Sequence, residues 1–198
     1  MAVKEVKLST IEEVLTTLTT AEFNDALKRN RSAFLFRGLP NVSYKLTTSL
    51  RWNCKGKAGE LEPSILRNFS KYAASTSPLN SCWEQMVIGQ HHGLPTRLMD
   101  WTYSPLAALH FATSGEDITG MNQHDAVVWA IDITEMNTLL PAKYQKVLND
   151  ERAYLFTIDM LDRVAKDLTT YDNDMGEDGI VLLEPPSIDQ RIINQYSY

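Results

Sequence analysis

The 198-residue sequence has only two cysteines, Cys54 and Cys82. They form no metal-type spacing, and a single pair says little about disulfides, so a reduced cytoplasm is the expected setting. No stretch is long and apolar enough to cross a bilayer, and MAVKEVKLSTIEEV has no apolar core of the kind a signal peptide needs. No membrane partner is therefore expected. The chain also lacks a run of Lys and Arg: 19 basic against 25 acidic residues leave a net charge of −6. Such a field repels nucleic acid, which is not expected as a non-specific partner without a local basic patch. There is no Walker loop, glycine-rich dinucleotide turn, HExxH or GxSxG. Metal hydrolysis loses its usual signature, and no metal is expected. His91, His92, Asp100 and His124 can still meet in space, so a metal-dependent hydrolase or nuclease stays as an alternative.

What is present is ordinary in bulk, with 43% hydrophobic and 22% charged residues. Ser9-Thr10-Ile11-Glu12 reads as a capping box before Ile11, Val14, Leu15 and Leu18 at helical spacing, and a second short helix is expected near 20–28, making the first 30 residues helical. Residues 33–37 read as a buried strand ended by Gly38-Leu39-Pro40, and 41–57 as irregular. A helix is expected over 60–74, closed by Ser75 to Pro78, and another from the Ser81-Cys82-Trp83-Glu84 box to Gly93. Ser104-Pro105 starts a helix over 106–113; 126–131 is a buried strand, 152–168 a helix, and 180–183 a strand ended by Pro185-Pro186. Helices and strands mix without regular βαβ alternation. The expected fold is α+β, a single domain over 1–198, whose small mixed or antiparallel sheet (33–37, 126–132, 179–184) carries flanking helices. Trp83, Trp129 and the apolar strands are assigned to the core.

The most specific segment is 90–112, QHHGLPTRLMDWTYSPLAALHFA. It crowds histidines, an arginine, an aspartate, a tryptophan and hydroxyls onto one connection, and such loops are where binding and chemistry concentrate. Each residue also has a plain structural use. Arg97 and Asp100, three apart, can pair as a clamp. His91 at a helix end is either a cap or a ligand contact, His110 falls on the face of Leu106 and Leu109, and Ser104 is an N-cap, leaving Thr102 the better candidate hydroxyl. Trp101 reads as core or pocket wall.

Phe36-Arg37-Gly38, the 90–112 segment and the later Glu184-Pro185-Pro186 followed by Arg191-Ile192 and Gln195 together resemble the FRG domain family, named for its Phe-Arg-Gly triplet. The family commonly has an aromatic where His92 stands, which puts the weight on His91. Its members tend to run well past this last block, which implies that part of the domain lies beyond Tyr198. Arg191 and Gln195, four apart, would share one face if 188–195 coil helically, and would hold that segment to the central loop.

A further likeness is to arginine–serine–glutamate ADP-ribosyltransferases, in the order Arg37-Gly38, Thr102-Tyr103-Ser104, Ala107 to Phe111, Glu184. It implies an ADP-ribosyltransferase-like fold and NAD as substrate. Arg37, Thr102 and Glu184 would be catalytic; Arg37, His91, Thr96, Arg97, Thr102, Ser104 and Gln195 would contact the cofactor, backed by Gln90, Asp100, Trp101 and Arg191. A guanidinium fork suits a diphosphate, and a carboxylate favours the cationic sugar as nicotinamide leaves. The implied function is transfer of ADP-ribose to a macromolecular target, or NAD hydrolysis, as a toxin or conflict effector. A nucleotide- or protein-binding module without chemistry is the alternative.

Overall fold

The computed structural model describes residues 3–20, 23–24, 29–30, 33–73, 81–114, 123–176 and 179–185, with backbone alone at 23–24, 29–30 and 72–73. Contacts gather these residues into two compact units, Met1–Tyr44 with Trp101–Ile131, and Lys45–Asp100 with Asp132–Tyr198. Helix and strand are both present, so the class is α+β.

In the first unit, helix α1 spans Ile11–Thr19. Its capping box falls one residue later than read, with Thr10 accepting from the Glu13 N–H and the Glu13 carboxylate accepting from Thr10. The expected helix near 20–28 is overturned: β1 (Phe23–Asn24) and β2 (Arg29–Asn30) pair antiparallel. A segment that short carries little helical stability of its own. Strand β3 is Phe34–Leu39 and pairs with β4, Val127–Asp132. Leu35 and Phe36 are buried, but β4 is only half-buried, Trp129 included, which corrects its assignment to the core.

Helix α5 (Pro105–Thr113) starts as read, Ser104 accepting from the Ala107 N–H and Pro105 at the first turn. Its packing explains the triplet. A Cβ built on Gly38 would lie 1.8 Å from the Ala108 carbonyl oxygen and 2.7 Å from the Ala112 nitrogen. Only glycine in β3, facing the fully buried Ala108 and Ala112, lets helix and strand backbones approach so closely. That face is made of alanines, and His110 is exposed, not in the core as expected.

The second unit opens with α2 (Ser49–Cys54), inside a stretch read as irregular; Thr48 caps it by accepting from the Arg51 N–H. A 3₁₀ turn, Lys55–Lys57, leads into α3 (Ala58–Ala73). Ser75 to Pro78, expected to close α3, lie outside the described residues. Helix α4 (Cys82–His91) ends in a Schellman turn: the Leu94 N–H donates to the Gly89 carbonyl and the Gly93 N–H to Gln90, with Gly93 at φ +84°.

Beyond β4 stand four helices, α6 (Ile133–Thr138), α7 (Ala142–Glu151), α8 (Ile158–Val164) and α9 (Leu168–Met175), and the helix expected over 152–168 shortens to α8, with α9 starting at its last residue. The caps break the chain. Thr157 and Asp167 accept first-turn N–H bonds, and Arg152 turns left-handed at φ +53°. The expected strand at 180–183 reduces to one bridge, Phe156 to Leu183, within this unit, so it is not part of the β3–β4 sheet. The core is Leu66, Trp83, Met86, Tyr144, Phe156, Leu161 and neighbours, and the Trp83 indole donates to the Ala165 carbonyl at 2.8 Å.

Candidate functional site

Of the candidate residues, Arg37, Trp101, Thr102 and Ser104 fall in the first unit. Gln90, His91, Thr96, Arg97, Asp100 and Glu184 fall in the second. Arg191 and Gln195 lie outside the described residues, as does the coil expected for 188–195.

In the first unit the pairing of Phe36 with Thr102 is complete: the Phe36 N–H donates to Thr102 at 2.7 Å and the Thr102 N–H to Phe36 at 2.9 Å. Arg37 is thus half-buried on a strand held on both sides of its backbone, one residue from Thr102's partner. Residues opposed across an antiparallel pair share a face and neighbours alternate, so Thr102 sides with Phe36 and Arg37 leaves from the other face. The Thr102 hydroxyl accepts from the Ser104 N–H at 3.1 Å. Its own proton has no acceptor among the described residues and is available to a ligand. Ser104 is committed as the N-cap of α5.

In the second unit the loop after α4 is tied down by the very polar groups that make the motif conspicuous. Thr96, 1% exposed, donates its hydroxyl proton to Gln90 Oε1 at 2.8 Å and accepts from the Leu98 N–H. Gln90 Nε2 donates to Asp100 Oδ1 at 2.6 Å. The Thr96 backbone exchanges bonds with Ser49, and its carbonyl also takes the Leu50 N–H at 3.1 Å. Gln90, Thr96 and Asp100 therefore act as one latch, and the latch joins α2 and α4.

Arg97 does not pair with Asp100. Its Nε donates to Glu62 at 2.9 Å, Nη2 to both Glu62 and Asp172, and Nη1 to Asp172. Burial works against the charge, but these hydrogen bonds and the two carboxylates outweigh it and raise the guanidinium's affinity for its proton. Four of five N–H donors are engaged, and the plane lies 5.9 Å from the Tyr171 ring centre, whose phenol burial pushes upward. The clamp links α3 to α9 through the loop. The correction has a physical cause: Glu62 is 2% exposed on the face of α3 that buries Leu66, and a carboxylate held that deep requires a cation. An acid four residues before a buried leucine was the signal for it.

His91 and His92 are exposed at the end of α4, their rings edge to face at 5.5 Å. Glu184 is exposed; its N–H donates to the Phe156 carbonyl at 2.8 Å, while its carboxylate has no partner among the described residues. Among the described residues no group of three or more His, Cys, Asp or Glu could hold a metal ion. No described helix is long and apolar enough to cross a membrane. No curated protein and no solved structure matches the chain. Residues 32–119, which include the triplet, the latch and α5, match the family model of the FRG domain, so the chain carries an FRG domain over that span.

Proposed function

We propose that this FRG domain uses NAD, breaking the bond between nicotinamide and ribose and passing the ADP-ribose to a macromolecular nucleophile or to water. The observation that carries the reading is Arg37: a half-buried guanidinium on a strand paired at Phe36 and backed, through Gly38, by the α5 backbone. Rigid placement of this kind is what recognition of a diphosphate by a planar fork requires. Glu184 is the carboxylate that would favour the cationic sugar; Thr102 projects from the face opposite Arg37 and so does not reach the same diphosphate. Thr96 and Arg97 drop out as cofactor contacts, because their polar atoms are spent inside the protein. Action as a toxin or conflict effector belongs to this proposal too.

A second reading, a nucleotide-binding module without chemistry, is favoured by one observation. No described residue orients the Glu184 carboxylate, whereas catalytic carboxylates are normally held by their surroundings. Incubation with labelled NAD separates the two. Nicotinamide release should fall about a hundredfold or more in Glu184→Gln with NAD binding kept, as expected when an interaction forms only in the transition state. Arg37→Ala should weaken NAD binding by about tenfold or more. Binding without release by the wild type replaces the first reading with the second; neither binding nor release removes both.

A further inference from the structure

Between Lys45 and Gly59 the chain holds four cations, Lys45, Arg51, Lys55 and Lys57, and no acid, in a protein of net charge −6. They are spaced rather than contiguous, so the sequence shows no basic run; the fold brings Arg51 and Lys55 to one cleft, with Lys57 on the same turn. Leu50, 3% exposed, anchors α2, and the Thr96 carbonyl takes its N–H. The residues after it are thereby turned to solvent, and Trp52 is 74% exposed. Helix α2 ends at Lys55, which adopts φ 51°, ψ −131°, a backbone conformation rare outside glycine. A cleft of about 470 Å³ opens at this turn, lined by Arg51, Lys55, Gly56, Ala58 and Gly59. Neither Arg51, Lys55 nor Lys57 has a carboxylate partner among the described residues. Glu60 follows on the first turn of α3, but Glu62 is turned inward to Arg97.

Unpaired cations around a concavity, beside one bare aromatic ring, are the elements of a surface that tracks a phosphate backbone and stacks a base. We propose that this surface binds single-stranded nucleic acid, its cations holding phosphates and Trp52 stacking on an unpaired base. A duplex keeps its bases out of reach of the ring. A bilayer surface calls for a cluster of protruding apolar side chains, whereas Trp52 is flanked by Arg51 and Asn53. The proposal does not depend on the NAD reading.

The test is fluorescence anisotropy of the full chain with a labelled oligothymidylate of about 15 nucleotides across a salt series. Three phosphate contacts give a slope of log K against log salt near −2. Trp52→Ala should weaken binding at least about fivefold. Lys55→Gly removes a cation while relieving its backbone, so the melting temperature should hold or rise as affinity falls and the slope shrinks by about 0.7. Nicotinamide release, where the wild type shows it, should be unchanged in both variants. Absence of binding at about 50 mM salt overturns the proposal. So does affinity unchanged by both substitutions, or capture by phosphatidylserine vesicles with no binding to the oligonucleotide.

Discussion

Gly38 shows how much one residue of the motif decides. Its replacement by Ala would drive a methyl into the Ala108 carbonyl at 1.8 Å, with backbone on both sides and no flexible side chain to yield. Overpacking usually costs about 1–3 kcal/mol, and a clash between backbones belongs at or beyond the top of that range. The urea midpoint of Gly38→Ala should fall accordingly, and a loss below about 1 kcal/mol would mean that α5 does not seat on β3 as described. A second residue-scale effect is electrostatic. The Lys143 ammonium, at 2.5 Å, and the Tyr144 hydroxyl hold the Asp174 carboxyl below the usual range. The native state therefore prefers the ionised form, so this stabilisation is full above the ordinary carboxyl value, about 4, and is lost as pH falls through the lowered one. Asp174→Asn should flatten the stability profile below about pH 4. A profile identical to that of the wild type there would remove the pair from the account.

Among the elements, α3 and α9 meet the loop between α4 and Trp101 through one guanidinium. Arg97→Ala would strand Glu62, 2% exposed, without a cation, and breaking a buried pair in this way costs about 3–5 kcal/mol. Replacing both partners together, Arg97→Met with Glu62→Leu, should recover most of that loss, because no charge is then left buried. The same double variant should bind NAD like the wild type if Arg97 is a clamp, and loss of binding with stability restored would return it to the cofactor site. Elements with strong local signals were legible in the sequence: the capped α5, the Gly93 stop of α4 and the aromatic strand β3 stand where the residues put them. What was not legible depended on distant partners. Nothing near Arg97 announces Glu62 and Asp172, and α7 to α9 are cut by caps at Thr157 and Asp167 inside a stretch whose apolar residues run on. The candidate site divides the same way: the motif was visible, but that Gln90, Thr96 and Asp100 serve each other emerged only from their geometry.

For the molecule as a whole, the matched span and the compact units do not coincide. Residues 32–119 take β3 without its partner β4, and Leu66, Trp83 and Met86 without Tyr144, Leu148, Phe156, Met160 and Leu161, which complete the same core. The chain also crosses between units three times, after Tyr44, Asp100 and Ile131, so neither unit is one continuous piece. Burial of a large side chain contributes about 1.5–3 kcal/mol, whereas net stability is only about 5–15 kcal/mol. Removing five such neighbours from one core is therefore enough to abolish folding. Residues 32–119 expressed alone should give no cooperative urea transition and disperse few amide resonances, while the full chain gives a cooperative one. Adding back 123–185 through its natural connection should restore the transition. A two-state transition in 32–119 alone would show that the family span is self-sufficient, and that the helices from Ile133 onward are an attachment to it rather than half of its core.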